Sequence, residues 1–123
     1  MRIAIIDDTQ SSLDLMAMLV RVLGPEEVHL FLSPVEGLSW CTKNKFDLLI
    51  VDYVMPELDG LTLLSQLRAQ GSDVPIILVT GEEDGAIGKE ALERGANEFV
   101  AKPVKRYEFL GSVAKQLATR TGR

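Results

Sequence analysis

Five short apolar runs recur along the chain, each the length of a β-strand. They are Ile3-Ala4-Ile5-Ile6, Val28 to Leu32, Leu48-Leu49-Ile50-Val51, Ile76-Ile77-Leu78-Val79 and Phe99-Val100-Ala101. Three are almost unbroken, as expected of strands covered on both faces. Between them the apolar period changes to that of a helix. The first helix is predicted from about Thr9 to Leu23, with Leu13, Met16, Ala17, Val20 and Leu23 at helical spacing. Ser11 with Asp14 resembles a capping box, and Gly24-Pro25 ends the segment. Further helices are predicted over Pro34 to Lys43, from Asp59 to Gly71 with Leu61, Leu64 and Leu67 on one stripe, over Asp84 to Arg94 with Gly95 just beyond, and over Lys105 to Thr119.

This alternation, strand then helix five times, implies a parallel sheet with helices on both faces. Right-handed crossovers leave few topologies. Met16 and Met18 are expected in or near the core, and Trp40, Cys41 and Tyr53 in packing roles. Asp59-Gly60 begins a helix rather than a hairpin, because a helical pattern follows it. No repeat, low-complexity tract or linker divides the sequence, so residues 1–123 read as one domain.

A length of 123 residues suits a single domain with its own core. Apolar residues make up 46% and charged residues 25%, the balance of an ordinary globular protein. Thirteen Lys and Arg stand against 18 Asp and Glu, giving a net charge of -5. That disfavours nucleic acid, whose binding leans on cationic side chains. Cys41 is the single cysteine, which excludes an internal disulfide and a multi-cysteine zinc site. His29 is the single histidine, so Ser-His catalysis and His-rich metal sites lack their parts. The N-terminal stretch is neither a signal peptide nor a membrane span, and the expected setting is the cytoplasm. No Gly-rich phosphate loop follows the first strand.

In open parallel sheets, sites form beyond the carboxyl ends of the strands. Asp7 and Asp8 follow the first strand, Asp52 the third, Thr80 and Gly81 the fourth, and Lys102 and Pro103 the fifth. These four strands are neighbours if the order is 2-1-3-4-5. Taken singly, each residue has an ordinary explanation: a turn carboxylate, a structural hydroxyl, a solvated lysine, a strand-stopping proline. Together they place three repelling carboxylates on one edge, which calls for a cation or a proton. The ligands are hard oxygens, and Mg2+ suits them best. Thr80 offers a hydroxyl, Lys102 a positive charge and Gly81 open space, so an anion pocket lies beside the metal. That is the arrangement phosphoryl transfer requires.

At these residues the chain resembles the receiver domains of two-component response regulators, of the chemotaxis-regulator kind, over essentially its whole length. The resemblance rests on Asp7-Asp8, on Asp52-Tyr53-Val54-Met55-Pro56-Glu57-Leu58-Asp59-Gly60, on Thr80-Gly81 and on Lys102-Pro103. It implies a flavodoxin-like (βα)5 fold with strand order 2-1-3-4-5. It implies that Asp52 takes a phosphoryl group from a sensor histidine kinase or phosphotransfer protein. Asp8 would ligate Mg2+ directly, Asp7 mainly through water, and Val54 through its backbone carbonyl. Thr80 and Lys102 would hold phosphoryl oxygens, and Lys102-Pro103 would be a cis peptide. Phe99 matches the aromatic that swings inward when such domains are phosphorylated, which would alter the face formed by the fourth helix, fifth strand and fifth helix. Val54 and Glu82 fall where side chains border the incoming water. On this reading the domain is a signalling switch and no enzyme beyond its own phosphorylation and slow dephosphorylation.

Two rivals are weighed against it. A haloacid-dehalogenase-like phosphatase needs a second Asp two residues after the nucleophile, and that position is Val54. A receiver-like docking module acting without phosphate is the alternative the residues leave standing. Parts of the sequence are also similar to receivers attached to cyclic-di-GMP phosphodiesterase domains. The cognate kinase, an attached output domain and phosphorylation-dependent dimerisation stay open at this level.

Overall fold

Each apolar run becomes a strand in the structure, a computed structural model that describes residues 1–81 and 85–121. The strands are β1 (Arg2–Ile6), β2 (Glu27–Phe31), β3 (Leu48–Asp52), β4 (Ile76–Thr80) and β5 (Glu98–Ala101). The helices are α1 (Gln10–Arg21), α2 (Pro34–Lys43), α3 (Gly60–Ala69), α4 (Ala86–Arg94) and α5 (Arg106–Thr121). The strands form one sheet in the order β2-β1-β3-β4-β5, and every pair is parallel. The expected start of the fourth helix at Asp84 falls outside the described residues; its first described turn begins at Ala86.

Successive side chains on a strand point to opposite faces, so each run feeds two cores. Ala4, Ile6, Leu49, Val51 and Leu78 pack on the face that meets Leu61, Leu64 and Leu67 of α3 and Ala91 of α4. Ile3, Ile5, Leu48, Ile50 and Val79 pack on the other face, against Leu13, Met16 and Val20 of α1 and Phe109 and Val113 of α5. The central strands β3 and β4 are buried along their whole length, which is why their sequences do not alternate. Full burial of one such aliphatic side chain contributes about 1.5–3 kcal/mol.

Local signals fix several helix ends. Ser33 caps α2 by accepting from the Glu36 N–H at 3.1 Å. Asp59 caps α3 by accepting from the Thr62 N–H at 2.7 Å. Gly95, at φ 113, closes α4 in the left-handed region that glycine enters freely. The start of α1 departs from expectation. Thr9 is its N-cap and makes no side-chain capping bond, while Ser11 lies inside the helix. No capping box forms because the helix begins at Gln10, one residue before Ser11. Met18 also departs: it is 59% exposed whereas Met16 is fully buried. Two residues along a helix is more than half a turn, so the two methionines cannot share a face. Trp40 packs beside Phe31 and Phe46, with ring centroids 5.6 and 5.4 Å away, and Cys41 is buried.

Candidate functional site

The carboxyl ends of β1, β3, β4 and β5 converge, each carrying its polar residues to one edge. Register sets the heights: Asp52 pairs with Val79, and Thr80 with Ala101. Strand pairing runs one residue past the ends, since the Tyr53 N–H donates to the Val79 carbonyl and the Lys102 N–H to the Thr80 carbonyl, both at 2.8 Å. Asp52 and Lys102 are thereby held from the backbone outward.

Asp7, Asp52 and Thr80 are buried, with exposures of 0%, 5% and 1%, while Asp8 is exposed. Carboxylate oxygens of Asp7, Asp8 and Asp52 lie within 4.8 Å of one another. The Lys102 ammonium bridges two of them, 3.0 Å from Asp7 Oδ2 and 3.1 Å from Asp52 Oδ1. The other Asp7 oxygen accepts from the Thr9 N–H at 2.9 Å, so the turn into α1 helps to fix this carboxylate. The Lys102–Pro103 peptide bond is cis.

One lysine does not neutralise three carboxylates. Burial and the charge of Asp7 push the Asp52 carboxyl up to about 6, although Lys102 pulls it back. Burial works against the Lys102 ammonium, but its hydrogen bond to Asp7 and the charge of Asp52 outweigh that and hold it above its usual value. Surplus negative charge on converging hard oxygens is what a small divalent cation relieves. The donor set therefore fits Mg2+, and Asp8 is open to solvent.

Gly60, expected only to begin a helix, has a second task. A Cβ there would run into the carbonyl oxygen of Asp52 and stand 2.8 Å from Leu78 Cδ1. The Gly60 N–H also donates to the Tyr53 carbonyl at 2.9 Å, so α3 begins directly beyond the end of β3. The sole sequence signal for this close approach is that the residue after the helix cap is a glycine. Val54 is 67% exposed, its side chain turned to solvent at the mouth of the site. Glu82 lies outside the described residues.

Phe99 is 40% exposed and so is no ordinary core aromatic. A small cavity of about 160 Å³ beside the site is lined by Ser12, Leu15, Lys102, Pro103 and Val104. A larger one, of about 500 Å³, lies at the amino ends of the strands near Arg2, Asp47 and Val74, away from every site residue. His29, on the edge strand, is engaged with Glu27 at 2.8 Å.

Residues 3–114 match the family described as the response regulator receiver domain. The chain is 37% identical over 123 residues to the cyclic di-GMP phosphodiesterase response regulator RpfG of Xanthomonas campestris pv. campestris, covering 98% of this chain and 32% of that protein. It is 34% identical over 115 residues to the response regulator protein TodT of Pseudomonas putida, covering 94% of this chain and 50% of that protein. The chain thus spans about a third to a half of these relatives. Among solved structures, a response regulator receiver domain protein from Clostridium thermocellum superposes with a TM-score of 0.88 at 28% identity, covering 98% and 96% of the two chains. The described residues include no helix long and apolar enough to cross a membrane.

Proposed function

This chain belongs to the response regulator receiver domain family, and on that premise we propose that it is a phosphorylation-activated switch whose acceptor is Asp52. The observation that carries the reading is the Lys102 ammonium bridging Asp7 and Asp52 at 3.0 and 3.1 Å, with Asp8 alongside. A buried acid, a paired lysine and surplus negative charge make a site that gains from a metal and then from a phosphoryl group.

An Asp52 carboxylate oxygen attacks the phosphorus of a phosphohistidine on a sensor histidine kinase or phosphotransfer protein. The new P–O bond forms as the P–N bond breaks, and the partner's imidazole is the leaving group. Asp52 must be ionised to attack, and the Lys102 charge favours that form. Asp8, Asp52 and the Val54 backbone carbonyl would hold Mg2+, with Asp7 acting mainly through water, and the ion would supply neutralising charge for the transferring oxygens. Lys102 and the Thr80 hydroxyl then hold phosphoryl oxygens, and water later returns Asp52 to its carboxylate. The chain catalyses only its own phosphorylation and slow dephosphorylation.

The added charge draws Thr80 inward, and Phe99 follows on the neighbouring strand. The state is transmitted through the α4-β5-α5 face. We further propose that residues 1–123 act as one receiver domain in the cytoplasm, without contacting nucleic acid or membrane. In a longer protein the domain would govern an output domain. Likeness to RpfG favours a cyclic-di-GMP phosphodiesterase there, and phosphorylation-dependent homodimerisation is a further route.

The test is intact mass after incubation with magnesium and a small-molecule phosphodonor, sampled early because the product is labile. One added phosphoryl group, lost without magnesium and lost in Asp52→Asn, supports the proposal. No adduct in the wild type would turn the reading toward a docking module that works without phosphate.

A further inference from the structure

We infer that Gly88 is the seat on which the Phe99 ring rests in the unphosphorylated protein, and that its missing side chain sets the switch's resting position. The inference builds on the proposed role of Phe99 and adds the residue that determines where the ring lies.

Leu78 pairs with Phe99, and Thr80 with Ala101. Alternation places all four on the face that α4 covers, where Leu78 and Ala91 of α4 share one core. Phe99 therefore stands two residues along β5 from the level of Thr80. Phe99 is 40% exposed, yet part of its ring lies against α4 at Gly88. A Cβ built at Gly88 would stand 2.5 Å from ring atoms Cγ and Cε2, and closer still to Cδ2. A rigid ring cannot fold away from such a contact as the end of a flexible chain could. Gly88 is buried, and glycine inside a helix is normally disfavoured relative to alanine. Here its bare backbone is the condition for the outward ring.

The rest of α4 determines what an added methyl would do. At the carboxyl end the Arg68 guanidinium donates to the Gly95 carbonyl at 2.8 and 3.0 Å, to the Ser72 carbonyl at 3.1 Å and to Asn97 Oδ1 at 3.1 Å. This clamp ties the turn between α4 and β5 to α3, so that end of the helix cannot retreat. The amino end starts at Gly85, in the left-handed region. A methyl at position 88 must therefore evict the ring or lift the first turn of α4. On the Thr80 side the next residue of β5 on this face is Ala101, whose small side chain leaves the ring a way inward. Gly88→Ala thus biases the two-state equilibrium toward the phosphorylated arrangement without phosphate.

Aromatic NMR signals of Phe99, assigned by their loss in Phe99→Leu, provide the test. They are recorded with and without magnesium and beryllofluoride, a phosphoryl mimic. In Gly88→Ala without beryllofluoride they should already lie near the wild-type positions seen with it. Signals that stay at the wild-type free positions would overturn the seat. Stability gives a second arm. Gly88→Ala should raise the melting temperature in a Phe99→Ala background, where no ring is met, and should not raise it in the wild-type background. An equal rise in both backgrounds overturns the seat as well. If Gly88→Ala alone does not fold, folding of the double variant supports the inference and its failure to fold contradicts it. If the wild-type ring ignores beryllofluoride while the Asp52 and Thr80 amides respond, yet Gly88→Ala still displaces the ring, the seat stands and only the switch role of Phe99 falls.

Discussion

Asp52→Asn should make the metal-free protein more stable at neutral pH, although it removes the proposed acceptor. Asp52 is 5% exposed, faces the charge of Asp7, and has its carboxyl pushed up from 3.8 to about 6. A gap of that size corresponds to roughly 3 kcal/mol of penalty on the ionised form in the folded state. Lys102 already offsets part of the repulsion, and its contribution is contained in that net shift. The sign follows from proton counting. Between about pH 4 and pH 6 the unfolded chain has released a proton that folded Asp52 retains. Wild-type stability therefore falls as pH rises across that window, and asparagine removes this component. In chelator the variant should match the wild type near pH 4 and exceed it by about 2–3 kcal/mol at pH 7.5, a rise of roughly 5–10 °C in melting temperature. Urea denaturation at both pH values measures the difference. Magnesium should narrow or invert it, because the ion binds the folded wild type more tightly than the variant. A variant that is no more stable in chelator at pH 7.5, or a difference that does not change with pH, would refute the electrostatic account of the site.

Lys102→Met should destabilise the metal-free protein by about 2 kcal/mol at pH 7.5, since it strands two buried carboxylates; the partial exposure of the lysine limits the loss. Magnesium should restore part of that loss in a thermal melt. Gly60→Ala should cost on the order of 2 kcal/mol in urea denaturation, because the new methyl meets the Asp52 carbonyl and Leu78; a neutral result would mean that α3 can move off β3 freely. Cys41, buried and with its thiol pushed up to about 12, should resist an aromatic disulfide reagent at pH 8 in the native protein and react once unfolded.

The apolar runs made the fold legible, because strands buried on both faces leave near-continuous hydrophobic stretches that polar turns interrupt. Leu48 to Val51 and Ile76 to Val79 are such runs, and both became fully buried strands. Convergence of Asp7, Asp8, Asp52 and Lys102 was legible for a topological reason: in a parallel sheet the residue after each strand arrives at the same edge. Features that depend on exact phase or on packing were less visible. The α1 cap was displaced because the helix began two residues earlier than the Ser11–Asp14 pair needs. Met18 faces solvent because helical phase separates it from Met16, which composition alone does not register. Gly88 carried no sequence signal as a seat, since its importance lies in a ring eleven residues away on β5.

Acyl phosphate trapping would test the account most directly. Borohydride reduces an aspartyl phosphate to the corresponding alcohol, leaving homoserine at the modified position. After brief exposure to magnesium and a small-molecule phosphodonor, peptide mass mapping should find homoserine at residue 52 and nowhere else. Label on Asp7, Asp8 or another carboxylate, or none at all when magnesium is shown to be bound, would contradict the claim that Asp52 is the phosphoacceptor.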